Sequence, residues 1–559
     1  MSYLLNKQNM IRTAAFTKHS ASLENPASRE AVEALNTVQA TPWRINAEIY
    51  TVMNNIWLMG GGIAGVPSAD ADVAIPDRMP DAVWETMKPE ERKIHIQRKA
   101  RAHQANGRLS GKRSSFLRQL EVARMMLNED TIWFPHSFDF RFRMYPIPQD
   151  LNPQGDELTK ALLEFAEGKP VGAYGGKWLA IQAANTGGHD KLALEERIDW
   201  AYSERVNIKA SANDPLNHLW WTEVEEPFMF LAACIELTGF WEQGEAWVSH
   251  LPIQVDGSCN GLQHLSAMGR DSVGAQATNV AANKTREDIY QRVADRCCEI
   301  VAADVAAGVE WAADWAGRIN RKTVKRAVMT TPYGVTTRGI QDQLITDHHT
   351  IDVVEGAGKE SGHTAAASYF TKVIQQSMGE VIGSASAIMG YIQDVAGAFA
   401  ENHLPLQWTN AAGCRVNQEY INPDITRVDT VVGDLRITVS HGQEGVGINA
   451  RRQRNGAAPN FVHSQDAAHM ALTVNLAKAM GVTSFSMIHD SYGTHAADMR
   501  LLNAALRQTF RTMYSEDVLG RFHAEQVSIA EPLGIELPEP PELGDFDVTE
   551  VIHSPFFFA

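Results

Sequence analysis

Residues 251–270 read LPIQVDGSCNGLQHLSAMGR. Leu251 to Val255 form a short apolar run that ends in a lone acid, Asp256. Gly257 and Ser258 permit a turn, and Leu262, Leu265 and Met268 then recur at helical spacing. The stretch predicts a buried strand carrying one carboxylate to its end, a tight turn and a helix. A second stretch, 484–495, reads SFSMIHDSYGTH. Phe485, Met487 and His489 alternate with Ser486, Ile488 and Asp490 before Tyr492-Gly493 breaks the run. That pattern predicts a hairpin with Asp490 at its tip. The two acids are so far apart in sequence that only a folded domain could bring them together.

Two carboxylates on neighbouring strand ends suit a hard divalent cation. Mg²⁺ takes one or two protein carboxylates and completes its shell with water and phosphate oxygens. Two such ions about 3.5–4 Å apart can activate an attacking hydroxyl and stabilise a leaving oxygen. Either acid alone could instead cap a helix or sit in a turn. A third stretch, RINRKTVKRAVMTTPYGV at 318–335, reads as a basic helix ending at Pro332, with Gly334 free to turn. Arg321, Lys325, Met329 and Tyr333 fall four apart, on one slowly drifting stripe. Two cations, a thioether and a phenol in line suit a nucleoside triphosphate; a solvated basic face is the plainer alternative.

Composition narrows the classes. The 559 residues are 44% hydrophobic and 21% charged, a globular balance. No apolar run is long enough to span a bilayer. The five cysteines (234, 259, 297, 298 and 414) show neither metal spacing nor a secreted disulfide framework, so a reducing cytoplasm is the expected compartment. A net charge of −17 repels phosphate overall, so any nucleic acid must meet local basic surfaces. One exists: Arg92 to Arg124 holds ten lysines and arginines against a single acid, Glu121. It reads as a helical face with a loop around Gly107 and Gly111, suited to phosphate contact. Beyond Arg521 there are eight acids and no lysine or arginine.

Other segments read as follows. Residues 1–24 are basic and are taken as a terminal arm rather than a transit peptide. Residues 28–57 look helical and 58–90 look like a loop. Segment 132–145 predicts a strand with Asp139, Arg141, Arg143 and Tyr145 on one side. Residues 170–250 read as packed helices and 285–310 as a helix. Residues 426–440 read as a hairpin around Gly433-Asp434, with Val428, Thr430, Val432, Ile437 and Val439 on one face. The other face carries Arg427, Asp429, Arg436 and Thr438. His463, in FVHSQDAAHM, is expected at a helix start, and the terminal FFFA is expected to pack.

The three opening stretches, with PNFVHSQD (459–466) and NPQGDELTK (152–160), resemble the motifs of the single-subunit RNA polymerases of T-odd bacteriophages and mitochondria. The likeness runs in order from about residue 30 to Ala559. It implies an α+β, mainly helical right-hand polymerase: thumb, palm and fingers around a cleft, with an antiparallel palm sheet. The expected division is arm and thumb over 1–130, and palm over 131–284 with a helical insertion at about 169–246. Fingers follow over 285–463, then a palm continuation and C-terminal foot over 464–559. The implied activity is DNA-templated synthesis of RNA from ribonucleoside triphosphates, with release of pyrophosphate. Asp256 and Asp490, helped by Gly257, would hold two Mg²⁺ ions.

The resemblance also assigns binding roles. Arg321, Lys325, Lys191 and Met329 would meet the nucleotide, Lys325 acting in catalysis. Tyr290 would lie near it, and Tyr333 and His463 would select ribose. Arg141, Arg143, Tyr145 and Lys160 would contact the template and the RNA–DNA hybrid, although Phe142 replaces the glycine of the family's Asp-aromatic-Arg-Gly-Arg pattern. Arg427, Asp429, Arg436 and Thr438 would read promoter bases. The family's large N-terminal domain is expected to be missing, encoded separately on a partner chain, or cut away. A phage-like enzyme would work in the host cytoplasm rather than in a mitochondrion, without a membrane. Two alternatives are a related-family DNA polymerase and a catalytically silent nucleic-acid-binding protein. Ser491, where those DNA polymerases usually have glutamate, and the intact acid pair speak against them.

Overall fold

The computed structural model describes residues 27–559 except Ala71, Tyr333, 357–361 and 433–434. The basic arm expected over 1–24 lies outside the described residues, as does Tyr333. Helices dominate, and every strand pairing described is antiparallel, as the α+β reading requires.

Pro89 opens a helix of 38 residues, α1 (Pro89–Met126), at a position where its missing N–H costs nothing. The loop predicted around Gly107 and Gly111 does not form; the helix runs through both. A glycine in a helix interior costs only about 1 kcal/mol relative to alanine. The neighbouring arginines, lysines and leucines favour the helix, and nothing within 4 Å crowds either glycine into another conformation.

The predicted strand over 132–145 is instead a hairpin of β1 (His136–Phe138) and β2 (Met144–Pro146). Asp139 makes its turn. Its carboxylate accepts the backbone N–H of Arg141 at 2.9 Å and of Arg143 at 3.1 Å, and its carbonyl accepts that of Phe142 at 3.0 Å. A short side chain that hydrogen-bonds its own following backbone competes with extended pairing, which the period-two pattern could not reveal. Phe142 sits at φ 70°. That region is costly for a bulky residue, and here the strain is offset by burial of the ring edge-on to Phe138, with centroids 5.7 Å apart.

The opening stretch folds as read. β3 (Pro252–Asp256) buries Ile253 and Val255 and turns Asp256 outward, and α2 (Asn260–Met268) follows, wholly buried. Asp288 caps α3 (Ile289–Ala306) by accepting the N–H of Tyr290 and Gln291. Asn320 caps α4 (Arg321–Thr330), which stops just before Pro332, and Gly334 adopts φ 73°. The long hairpin β4 (Ile421–Val432) and β5 (Leu435–Ile448) extends well beyond the predicted 426–440. Val428 pairs with Val439 and Thr430 with Ile437, so the predicted faces hold. Gly433 and Asp434 lie outside the described residues.

α5 (Ala450–Ala479) overturns one expectation: His463 lies mid-helix, because the helix passes through Pro459. Proline leaves the carbonyl four residues back without its helical donor, here that of Asn455. Gly334 packs against that carbonyl; a side-chain carbon at 334 would come within 2.9 Å of it. The end of α4 is thus seated against α5 one turn before His463. Next come β6 (Ser486–Ile488) and β7 (Ser491–His495), which join β3 in a sheet ordered β6-β7-β3, before two further helices (Met499–Ser515 and Val518–Ala530). Phe557 and Phe558 are buried against this sheet, as expected, and Phe558 bridges Gly257.

Candidate active site

Backbone pairing brings the two acids together. Ser491 lies opposite Asp256, so Asp490, one residue earlier, stands at the same end of the sheet. The Gly257 N–H donates to the Asp490 carbonyl at 3.3 Å. A side-chain carbon at Gly257 would sit 2.6 Å from the Gln263 Oε1, so a larger residue there would have to move that amide. The hairpin tip is propped from outside. The Gln154 amide donates to the Met144 and Met487 carbonyls, each at 3.0 Å, and the Tyr145 ring meets His489 edge-on at 4.6 Å.

Both carboxylates are open to solvent, yet crowding by the surrounding chain pushes both carboxyls up from their usual range. The two facts agree if the acids line the floor of an open cleft. For Asp256, a hydrogen bond from Ser491 opposes that rise and the Asp490 charge adds to it. For Asp490, Asp466 adds to the rise and Arg143 opposes it. Among the described residues, neither carboxylate forms an ion pair. No cluster of three or more histidine, cysteine or acidic side chains forms a metal cage among them either. The pair is therefore a set of water-accessible carboxylate oxygens not taken up by an ion-paired side chain among the described residues, a donor set that suits Mg²⁺ sharing its shell with water and phosphate.

Cations gather on α4 and the 190 loop. α4 buries Val324, Ala327 and Val328 and exposes Lys325 and Met329 on the predicted stripe. Arg321 does not project freely: it donates to Asp288 at 2.5 Å, with its guanidinium 5.1 Å from the Tyr290 ring centroid. Lys191 pairs with Asp190, and the Asp190 carbonyl accepts from Arg197 at 2.8 Å and from Arg286. Burial holds the Lys191 amine below its usual range; Asp190 opposes this, and the charges of Arg286 and Arg321 add to it. Lys191, Arg286 and Arg321 thus share one field. Lys160 lies 3.9 Å from Glu226, and its charge steadies the ionised Asp256.

The other expected residues divide. Arg141 and Arg143 turn inward rather than standing free for a template: Arg141 binds Asp139 and His463, and Arg143 binds Asp466. Arg427, Asp429 and Thr438 are exposed on the long hairpin, and Thr438 donates to Asp429 at 2.7 Å. Arg436 pairs with Val431 through the backbone.

Sequence reasoning missed Asp288, Arg286 and Asp466. Asp288 could have been found as an acid capping the apolar-periodic 289–301. Asp466 is an acid inside a run of otherwise helix-core residues, a signal of a buried pair. Its side chain is 1% exposed.

No described helix is long and apolar enough to cross a membrane. Comparison with known proteins fits this geometry. The family model for DNA-dependent RNA polymerase matches residues 169–531. DNA-directed RNA polymerase 2, chloroplastic/mitochondrial, of Arabidopsis thaliana is 37% identical over 94% of this chain and 52% of its own length. DNA-directed RNA polymerase 1, mitochondrial, of the same plant is 36% identical over 94% of this chain and 53% of its own. The chain spans about half the length of the curated relatives it matches. A solved structure, the POL domain of Pol1 from M. smegmatis in complex with DNA primer-template and dNTP, covers 86% of this chain and 66% of that one. Its TM-score of 0.41 at 11% identity is too loose to bear on the fold. With the greater part of its length matched by one family model, the chain belongs to the DNA-dependent RNA polymerase family.

Proposed function

We propose that this chain carries out DNA-templated synthesis of RNA from ribonucleoside triphosphates. The observation that carries the reading is the β3–β7 pairing that sets Asp256 and Asp490 at one end of the sheet, with Asp190, the partner of Lys191, near enough for its charge to act on Asp256; the cationic group of Lys191, Arg321 and Lys325 is read with it. In this reading the floor is the palm, with 131–284 and 464–559 around it. Residues 285–463 form the fingers and 1–130 the arm and thumb. The RNA 3′-hydroxyl attacks the α-phosphorus of the incoming nucleotide, and pyrophosphate leaves.

Asp256 and Asp490 would hold two Mg²⁺ ions, with the Gly257 carbonyl in support. Bound there, divalent ions supply charge neutralisation at the attacking and leaving oxygens. Lys325, Arg321 and Lys191 orient the triphosphate and balance its charge, the main demand of phosphoryl transfer. Arg321 must trade Asp288 for phosphate, and Lys191 must trade Asp190. Met329 and Tyr290 lie near the base and sugar, Tyr333 and His463 select ribose, and Lys160 steadies the floor and the hybrid. Arg427, Asp429, Arg436 and Thr438 would read base edges. Template DNA, nascent RNA and a chain or domain corresponding to the rest of the relatives' length are the partners. For compartment, the organellar names of the relatives favour a chloroplast or mitochondrion over the cytoplasm.

The test is extension of an RNA primer annealed to DNA, with ribonucleotides or deoxyribonucleotides, in Mg²⁺ and then in EDTA. Mg²⁺-dependent addition of ribonucleotides supports the reading. Preference for deoxyribonucleotides would make the protein a DNA polymerase, and binding without addition would make it a silent nucleic-acid-binding protein.

A further inference from the structure

His463 is a ribose-selecting residue in the reading above, and a hydroxyl is recognised by a donor or an acceptor, not by an imidazole in general. Neutral imidazole has one nitrogen of each kind, and protonated imidazole has two donors. Which form His463 takes is therefore a question of specificity, and its neighbours answer it.

Arg141 Nη1 lies 2.7 Å from His463 Nδ1. A guanidinium only donates, so Nδ1 must accept. An imidazole whose Nδ1 accepts is neutral, with its proton on Nε2. Any hydrogen bond that His463 gives to a substrate then comes from Nε2. Arg141 is itself held in place. Asp139 receives its Nε at 2.9 Å and its Nη2 at 2.6 Å, and the same carboxylate receives the Arg141 backbone N–H at 2.9 Å. The Arg141 side chain is only 19% exposed and that of Asp139 14%, so the pair is shielded and set by the β1–β2 turn rather than by a mobile surface. Asn460, one turn before His463 on α5, accepts from Arg141 Nη1 at 3.4 Å.

We propose that Asp139, acting through Arg141, fixes His463 as a neutral Nε2–H donor, and that this relay sets the preference for ribose over deoxyribose. Asp139 and Arg141 are positioning residues in this scheme. Arg141 thereby takes a role different from gripping the template. Two further facts agree. Burial holds the His463 imidazolium well below its usual range, and the charges of Arg143 and Arg141, with His489 and His264 nearby, push the same way. Gly334, next to the end of the basic helix, packs on α5 at Pro459, one turn from His463, so the tautomer is fixed beside the segment expected to meet the sugar. The proposal rests on the polymerase reading for its consequence, but not for its geometry.

The experiment has two arms on the full chain. In the first, the protein is labelled with ¹⁵N-histidine, and the His463 resonances are assigned by their loss in His463→Gln. The wild type should show an unprotonated Nδ1 and a protonated Nε2. Arg141→Met should show both tautomers, and Arg141→Lys, which keeps a donor, should restore the single one. In the second arm, kcat/KM is measured for one NTP and its dNTP on a preformed RNA–DNA hybrid. The NTP:dNTP ratio should fall about tenfold in Arg141→Met and less in Asp139→Asn, and stay near wild type in Arg141→Lys. A wild-type His463 with its proton on Nδ1 overturns the relay. So does an Arg141→Met enzyme that slows equally with both sugars, since Arg141 would then be only structural. A wild type that extends no RNA, yet shows the predicted tautomer, overturns the polymerase reading and the sugar-selecting role while leaving the tautomer lock standing.

Discussion

The acid pair on β3 and β7, the floor, and the cations on α4 and the 190 loop, the wall of the proposed site, are built on opposite electrostatic plans. On the floor, Asp256 and Asp490 face water with no ion-pair partner among the described residues; burial raises both carboxyls, and the charge of Asp490 adds to the rise at Asp256 and that of Asp466 to the rise at Asp490. On the wall, Arg321 rests on Asp288 and Lys191 on Asp190, while Lys325 is exposed. The floor holds repulsion that Lys160 and Ser491 at Asp256 and Arg143 at Asp490 oppose without outweighing it. Much of the wall's charge is already compensated, so in the proposed function phosphate would have to displace an acid to gain it. The difference suits a site where metal is needed for chemistry and triphosphate must be held and then released.

The comparison can be broken most sharply at the floor. Asp256→Asn keeps the shape and removes one charge, and nucleotide addition should fall by about 10³-fold or more. The check is single-turnover addition on an assembled RNA–DNA scaffold, with scaffold affinity measured alongside. A loss of affinity equal to the loss of rate would mean that the acid is structural. On the wall, Lys325→Ala should raise the KM for NTP by about ten- to a hundredfold, roughly 1.4–2.7 kcal/mol of lost interaction. Arg321→Ala should have a smaller effect on binding, because part of what the guanidinium gains from phosphate it loses from Asp288. Equal effects would contradict the idea that Arg321 starts compensated.

Asp288→Asn sharpens the same point from the other side. It frees Arg321 and should lower the KM for NTP about two- to threefold, less than 1 kcal/mol, as expected of a partly exposed pair. A raised KM would show that Asp288 is needed to aim Arg321 rather than to occupy it. The smallest effect is on stability. An acid whose folded pKa is raised contributes stability that is present below its unfolded pKa and lost as pH rises through the folded value. Without metal, the wild type should therefore lose stability as pH climbs above the ordinary carboxylate range. Asp256→Asn should melt about 1–2 °C higher than wild type at pH 7.5, and no higher at pH 4, the shift being small because the carboxylate keeps contact with water. A wild type that melts higher than the variant at pH 7.5 would mean that the floor is not frustrated.

The floor was legible in sequence because strand alternation and a two-residue tip are local. Ile253 and Val255 fix which way Asp256 points, and the hairpin turns at His489-Asp490 with Asp490 at its tip as read, although the break expected at Tyr492-Gly493 does not form, both residues pairing inside β7. The basic helix was legible for the same reason, from its stripe to its stop at Pro332. What surrounds them was not. Asp139 makes a turn where period-two spacing predicted a strand, so Arg141 and Arg143 point to α5 rather than along a sheet. Pro459 suggested a helix start before His463, but packing keeps α5 continuous across the missing bond. Gly107 and Gly111 looked like a loop because glycine marks loops, yet on an exposed helix of good formers they are merely tolerated. Pairs such as Arg143–Asp466 and Arg321–Asp288 join distant parts of the chain, and no local pattern announces them.

In the proposed mechanism Asp256 and Asp490 together make addition depend on a divalent cation. This dependence is tested most directly by titrating Mg²⁺ into the scaffold-bound protein and following single-ribonucleotide addition in the wild type and Asp490→Asn, with scaffold occupancy matched. The wild type should rise from no addition in EDTA to a plateau. Asp490→Asn, equally bound, should stay at least about 10³-fold lower at every Mg²⁺ concentration. An Asp490→Asn enzyme that reached the wild-type plateau, at any Mg²⁺ concentration, would contradict the account.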